Sequence, residues 1–190
     1  MPNKALTITE QRTQAWLDSF VVGLNLCPFA RPLIASDGVR LILNESSQIE
    51  GILRGFLTEL ELISNSDEAE IATTLLIIPN GLADFTEFLG FLELAEELIK
   101  EADLEGMIQL ASFHPNYRFD GEPEDSVSHF TNRSPYPMIH FLREEMMERV
   151  LNEFSNPEQI SQRNIQVLKT IGRTEIERRW NNLKPGESLK

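Results

Sequence analysis

Three short apolar runs, separated by two long segments of helical periodicity, constrain the fold of this chain more than any other feature. The runs cover residues 39–43 (VRLIL), 73–78 (TTLLII) and 107–113 (MIQLASF), and we interpret each as a β-strand. Strands separated by long helices cannot form hairpins, so parallel pairing through right-handed crossovers is the simplest arrangement. The sequence therefore predicts an α/β fold, with a small, mostly parallel sheet of three or four strands flanked by helices.

Helices are predicted before, between and after these strands. Thr7 and Glu10 have the spacing of a capping box at the start of a first helix, which ends before two closely spaced prolines. The crossover helices begin at a second capping box, Ser47 to Glu50, and at Asp84. The helices predicted after the third strand cover residues 134–150, 157–171 and 173–180, and a fourth strand is allowed for within residues 117–133.

The net charge and the cysteine content indicate which partners the protein can bind and in which cellular compartment it is found. The formal net charge of −13 repels the phosphates of nucleic acid and of anionic membranes, so neither is expected as a partner. Cys27 is the only cysteine and cannot form an internal disulfide. No apolar run approaches the roughly 20 residues that span a bilayer, and no signal-peptide pattern is present. We expect one cytoplasmic domain over residues 1–190, with a frayed tail at 181–190.

Polar residues follow each predicted strand, at the edge where open parallel sheets bind ligands. Asn44, Asn80 and His114 come at or just after the ends of strands one, two and three. Asn80 is a candidate substrate-binding residue, although Asn is also a standard turn residue. His114, fixed by Pro115, is a candidate general base or metal ligand; the alternative is a histidine that hydrogen-bonds a loop carbonyl.

The segment 114–140 holds all three histidines and both tyrosines of the chain. A long connection without a regular pattern is typical of a lid or a binding loop. Arginine forks bind carboxylates and phosphates, so Arg118 and Arg133, with Arg31, are predicted to hold a negative group, unless they pair with the chain's own carboxylates. The residues predicted to orient the substrate are His140, Asn116, Tyr117 and Asn132.

The residue types also allow two other kinds of chemistry, a cysteine nucleophile and a metal site. Cys27 is a candidate nucleophile with His114 as its base, or else a buried small hydrophobe. His140 joins these two as a catalytic candidate. Together with His129, the two other histidines could hold zinc with an open fourth position, although no established zinc-binding spacing is present.

Three segments carry a resemblance to a known family. They are LNLCPFA (24–30), SFHPNYRFDG (112–121) and NRSPYPMIHFLRE (132–144). This combination resembles domain-of-unknown-function family 1415, bacterial proteins of about this length, and the resemblance covers nearly the whole chain. It implies a bacterial, soluble, single-domain protein, and implies no activity, cofactor or catalytic residue.

Three functions follow as hypotheses. The first is an enzyme acting on a small anionic metabolite at the carboxyl ends of the strands, with His114 as acid, base or ligand. The second is a non-enzymatic ligand- or partner-binding module with an exposed aromatic patch of Tyr117, Phe119 and Tyr136. The third is a metalloenzyme that uses the three histidines. The pattern leaves the reaction, the cofactor and the oligomeric state open.

Overall fold

A four-stranded mixed sheet forms the centre of the protein. The computed structural model describes residues 6–36, 38–153 and 156–186. In spatial order β1-β2-β4-β3, the strands are β1 (Val39–Leu43), β2 (Thr73–Ile77), β4 (Met138–Arg143) and β3 (Ile108–Phe113). β1 pairs parallel with β2, whereas β4 pairs antiparallel with both β2 and β3. The first three strands therefore run in one direction, and β4 runs against them.

Helices cover both faces of this sheet. They are α1 (Ile8–Trp16), a π-helix (Leu17–Val22), α2 (Ala30–Ala35), α3 (Ile49–Ser64), α4 (Phe85–Glu101), a 3₁₀ helix (Val127–Thr131), α5 (Glu144–Asn152), a 3₁₀ turn (Pro157–Gln159), α6 (Ile160–Ile171) and α7 (Arg173–Asn181). None of these helices is long and apolar enough to cross a membrane.

The α/β class and the three predicted strands are confirmed, but the sheet is only partly parallel. Residues 138–143, predicted as the start of a helix, form β4, and the helix begins at Glu144. β4 is covered on both faces, so its apolar residues do not alternate with polar ones, and their spacing also fits a helix. The fourth strand allowed for within residues 117–133 is wrong, since the regular element there is a 3₁₀ helix.

Helices begin at all three predicted positions, and the predicted side-chain caps are confirmed at two of them. Thr7 forms the expected capping box with Glu10. The second capping box is wrong: α3 has Gln48 as its N-cap, without a side-chain cap, and the Ser46 hydroxyl accepts from the Gln48 N–H instead. Helix α2 was not expected so close to the two prolines. Of the tail predicted to fray, residues 187–190 lie outside the described residues, as do residues 1–5.

The sheet separates two apolar cores. Ile139 and Phe141 of β4 face α3 and α4, where Phe56 and Phe88 are fully buried. Met138 faces the opposite core, which is built from α1, the π-helix, α6 and α7. Because successive side chains of a strand point to opposite faces, His140 lies on the side of Met138.

Asp84 is the N-cap of α4, and its removal tests how this helix is anchored. Its carboxylate accepts from the N–H groups of Thr86 (2.8 Å) and Glu87 (3.0 Å). We expect Asp84→Ala to lower the free energy of unfolding by about 1 kcal/mol, measured by urea denaturation. The control Glu93→Ala, on the exposed face of the same helix, should change it by less than about 0.5 kcal/mol. Equal losses in both variants would contradict the capping role.

Candidate ligand-binding sites

Aromatic rings pack against one another in a row along the loop after β3. The ring of His114 lies 5.1 Å from that of Phe85, which lies 5.2 Å from Tyr117. The ring centroids of Tyr117 and Phe119 are 5.0 Å apart, which extends this row of contacts. Tyr136 is buried separately, at 7% exposure. The exposed patch expected from Tyr117, Phe119 and Tyr136 is therefore not formed.

His114 is buried with both ring nitrogens hydrogen-bonded inside the protein. Nε2 lies 3.0 Å from the carbonyl oxygen of Leu82, and Nδ1 accepts from the N–H of Asn116 at 3.0 Å. These bonds define the neutral tautomer with the proton on Nε2. Burial lowers the pKa of His114, against smaller opposing effects of the Leu82 carbonyl and the Asp84 carboxylate. The geometry matches the loop-carbonyl alternative, while the acid–base role of His114 stays a prediction.

The other two histidines lie apart from His114. His129 is buried, with Nδ1 accepting from the Phe119 N–H (3.2 Å) and Nε2 lying 2.8 Å from the Pro123 carbonyl oxygen. His140 lies within β4, on the face of the sheet opposite α4. Across the described ranges, no group of three or more His, Cys, Asp or Glu residues could hold a metal ion. The three-histidine metal site is therefore not formed.

A pocket of about 440 Å³ opens beside the carboxyl end of β3 and the start of β4. We name it the Arg133 pocket. It is lined by Pro115, Asn116, Phe130, Arg133, Pro135, Glu177, Trp180, Asn181, Lys184 and Pro185. It lies where the sequence placed the site, but half of its wall comes from α7 and the residues after it.

The Arg133 side chain is half-buried and held in place from several directions. Its guanidinium carbon lies 4.5 Å from the centroid of the Phe130 ring, and its Nε donates to the Tyr117 carbonyl at 3.4 Å. Its own carbonyl accepts from the Trp16 indole at 2.9 Å. No described carboxylate forms an ion pair with it. Burial lowers the pKa of Arg133, and the charges of Arg118 and Arg173 lower that pKa further, opposed by the charge of Glu177.

Four other predicted binding residues lie outside this pocket, and their binding roles stay predictions. Arg118 is exposed and forms an ion pair with Glu124, and Arg31 is exposed on α2. The Asn80 amide donates to the Glu45 carbonyl at 3.0 Å, which ties together the loops after β1 and β2. The Asn132 amide donates to the Ser112 carbonyl at 3.2 Å. Of the predicted set, only Asn116 and Arg133 line the Arg133 pocket among the described residues.

Sequence reasoning missed Lys184, Trp180 and Asn181. They lie about 50 residues beyond Arg133 in the chain, and only the packing of α7 brings them to the pocket. The sequence shows that Lys184 is basic and could bind an anion, but it does not show that this residue lies near Arg133.

A second, apolar cavity of about 150 Å³ lies on the other face of the sheet. We name it the His140 cavity. His140 and Cys27 both line it, whereas His114 packs against Phe85 and Phe88 on the α4 side. The predicted pairing of Cys27 with His114 is therefore not formed, because the sheet lies between them.

Both titratable groups of the His140 cavity are neutral at pH 7. Burial raises the pKa of the Cys27 thiol, opposed by hydrogen bonds from the backbone at Phe29 and Ala30. Burial lowers the pKa of His140 to about 4. The His140 residue as a whole is partly exposed, but its ring nitrogen Nε2 is enclosed and has no hydrogen-bond partner among the described residues. This arrangement lacks the thiolate that a nucleophilic cysteine requires.

The low pKa of His140 predicts a pH dependence of stability. The unfolded chain binds a proton at this residue below about pH 6.5, whereas the folded protein does not until about pH 4. Stability is therefore complete above pH 6.5 and is lost as the pH falls towards 4. Between these values, the wild-type protein should lose up to about 3 kcal/mol more than His140→Leu in urea denaturation. Identical pH profiles for the two proteins would contradict the buried neutral histidine.

Comparison with known proteins identifies a family. Residues 8–178 match the family described as "Protein of unknown function (DUF1415)". No curated protein and no solved structure matches the chain. The segments that carry the sequence resemblance supply residues to both sites, with Cys27 and His140 at the cavity and Asn116 and Arg133 at the pocket. The chain therefore belongs to domain-of-unknown-function family 1415.

Proposed function

We propose that this protein binds a small anionic metabolite in the Arg133 pocket. The observation that supports the proposal is the half-buried Arg133 guanidinium, which no described carboxylate pairs in a chain of net charge −13. A partly desolvated guanidinium without an ion-pair partner is costly, and a bound anion offsets that cost. Glu177 is the one carboxylate on the pocket wall among the described residues, and its ion pair is with Arg173 (2.7 Å) rather than with Arg133.

The electrostatic surroundings of Arg133 support the same class of ligand. The charges of Arg118 and Arg173 repel the Arg133 charge, and Lys184 adds another cation to the wall. Positive charge from these residues therefore acts on the pocket, opposed by the carboxylate of Glu177. A bound anion would relieve this repulsion, and its attraction is strongest where water is partly excluded.

The shape of the pocket indicates a carboxylate or a phosphate on a compact body. The guanidinium presents a planar fork of donors that fits either group. The side chains of Asn116 and Asn181 add amide groups, and Phe130 and Trp180 supply an apolar wall. A volume of about 440 Å³ is within the range of small-molecule sites.

In this proposal His114 is a positioning residue. Its Nδ1 accepts the Asn116 N–H and so fixes the wall formed by Pro115 and Asn116. Acid–base catalysis by His114 would require one of its two ring hydrogen bonds to break. Turnover at this site therefore remains a separate hypothesis, and binding is the function that we propose.

Replacing Arg133 tests the proposal directly. Titrations with inorganic phosphate, acetate, succinate and citrate are followed through the indole N–H signal of Trp180, which lines the pocket. For whichever anion binds, Arg133→Gln should weaken the affinity about tenfold or more, because a charge-assisted hydrogen bond is lost.

The matched control is Arg149→Gln, which makes the same change in net charge at an exposed ion pair with Glu68. It should change the affinity less than about twofold, since surface pairs contribute little. Equal weakening in the two variants would reduce the effect to net charge, and no saturable binding of any of the four anions would reject the proposal.

The positioning role of His114 makes a separate prediction. Asparagine places an oxygen near the position of Nδ1, whereas glutamine places its amide near Nε2. His114→Asn should therefore retain the acceptor for the Asn116 N–H and bind the anion more tightly than His114→Gln does. Thermal unfolding of both variants checks that each is folded, and equal affinities in the two folded variants would contradict the role.

A further inference from the structure

We infer that the His140 cavity is a second ligand site, which takes a neutral, ring-sized apolar molecule that carries one hydroxyl group. Phenols and small cyclic alcohols are the chemical class that fits. This inference concerns the opposite face of the sheet and does not depend on the anion site.

The floor of the cavity is built by three residues in register across the sheet. His140 of β4 pairs with Leu75 of β2 on one side and with Ala111 of β3 on the other. The small side chain of Ala111 leaves space beside the His140 ring. Apolar side chains of α1, the π-helix, α2 and α5 close the remaining sides.

The size of the cavity matches a six-membered ring. Its volume is about 150 Å³. An engineered apolar cavity of about that volume in another protein stays dry and binds benzene. No charged side chain lines this cavity among the described residues, so a charged ligand would lose its hydration without compensation. A neutral, compact and mainly apolar ligand follows.

His140 supplies the requirement for a hydrogen-bonding group. Its Nε2 has no partner among the described residues, and a buried polar atom without a partner calls for a ligand or a water molecule. In the observed rotamer Nε2 is enclosed by protein atoms and does not line the open space of the cavity. A half-turn of the ring about the Cβ–Cγ bond exchanges Nε2 with Cε1, and in that rotamer Nε2 bonds to the hydroxyl group of the ligand. A hydroxyl group both donates and accepts, so it can bond to either tautomer of the neutral ring.

The irregular helix beside the cavity is an independent indication of a site. Leu17 and Val21 belong to the π-helix Leu17–Val22 and both line the cavity. A π-helical segment is less regular than an α-helix and is found frequently at functional sites. Here its irregular turn shapes the wall opposite the sheet.

An adjacent groove provides a route of entry. It has a volume of about 480 Å³ and opens between the 131–132 segment and α6. Val21, Cys27, Phe29 and Phe113 line both the groove and the cavity. These four side chains therefore form the partition through which a ligand would pass.

Phenol and toluene are the probes that test the inference, because they have nearly the same shape and differ by the hydroxyl group. Binding to the full-length protein is measured by ligand-detected NMR and calorimetry. We expect saturable binding of phenol, with a ratio of toluene to phenol dissociation constants that falls about two- to tenfold in His140→Leu. An unchanged ratio, or no saturable phenol binding to the wild-type protein, would overturn the inference.

The location of the binding is tested by filling the cavity. Ala111→Leu places a larger side chain beside His140, and it should abolish the binding of both probes. Full phenol affinity in the folded variant would overturn the assignment to this cavity. If the variant does not fold, the location is tested through the methyl signals of Met146 and Met147 in the wild-type protein, since both residues line the cavity. These signals should shift when the protein is saturated with phenol. Signals that stay fixed would overturn the assignment.

Discussion

The pairing of β4 with both β2 and β3 is the interaction on which the rest of the structure depends. β4 fills the gap between two strands that run in the same direction, and it pairs antiparallel with each. Its side chains divide between two cores, with Ile139 and Phe141 on one face and Met138 and His140 on the other. The strand also brings the loop before it, with Arg133, next to the end of β3. Both candidate sites are therefore consequences of one strand insertion.

The three histidines show how burial decides the use of a titratable residue. His114 and His129 each direct both ring nitrogens at backbone groups and so fix the path of the loop after β3. The Nε2 atom of His140 is also buried, but it has no hydrogen-bond partner among the described residues. The first two are satisfied within the protein, and the third retains an unused hydrogen-bonding capacity. Of the three histidines, His140 is therefore the one that can bond to a ligand without losing a bond to the protein.

The sequence predicts the parts of the fold that local patterns specify. The apolar runs identify β1, β2 and β3, and Thr7 and Asp84 identify two helix starts. β4 was assigned to a helix because a strand covered on both faces has no alternation to distinguish it. The sequence also directs the search to the segment after β3, where His114 and the long loop lie, and the Arg133 pocket opens beside the end of that strand.

The roles of individual site residues depend on tertiary contacts that no local pattern contains. Arg118 and Arg133 look alike in the sequence, yet Glu124 pairs with the first and no described carboxylate pairs with the second. Likewise, Cys27 shares a cavity with His140 rather than His114, because of the face on which each residue lies. The contribution of α7 to the Arg133 pocket has the same cause.

An anion site at Arg133 can be tested through the side-chain Nε–H signal of this residue during titration with inorganic phosphate and citrate, because this signal reports on the guanidinium itself. If Arg133 binds anions, one of these anions moves this signal in a saturable manner, while the Nε–H signal of Arg149, on the exposed ion pair with Glu68, stays in place. Equal movement of the two signals, or no movement of the Arg133 signal with either anion, would contradict an anion site at Arg133.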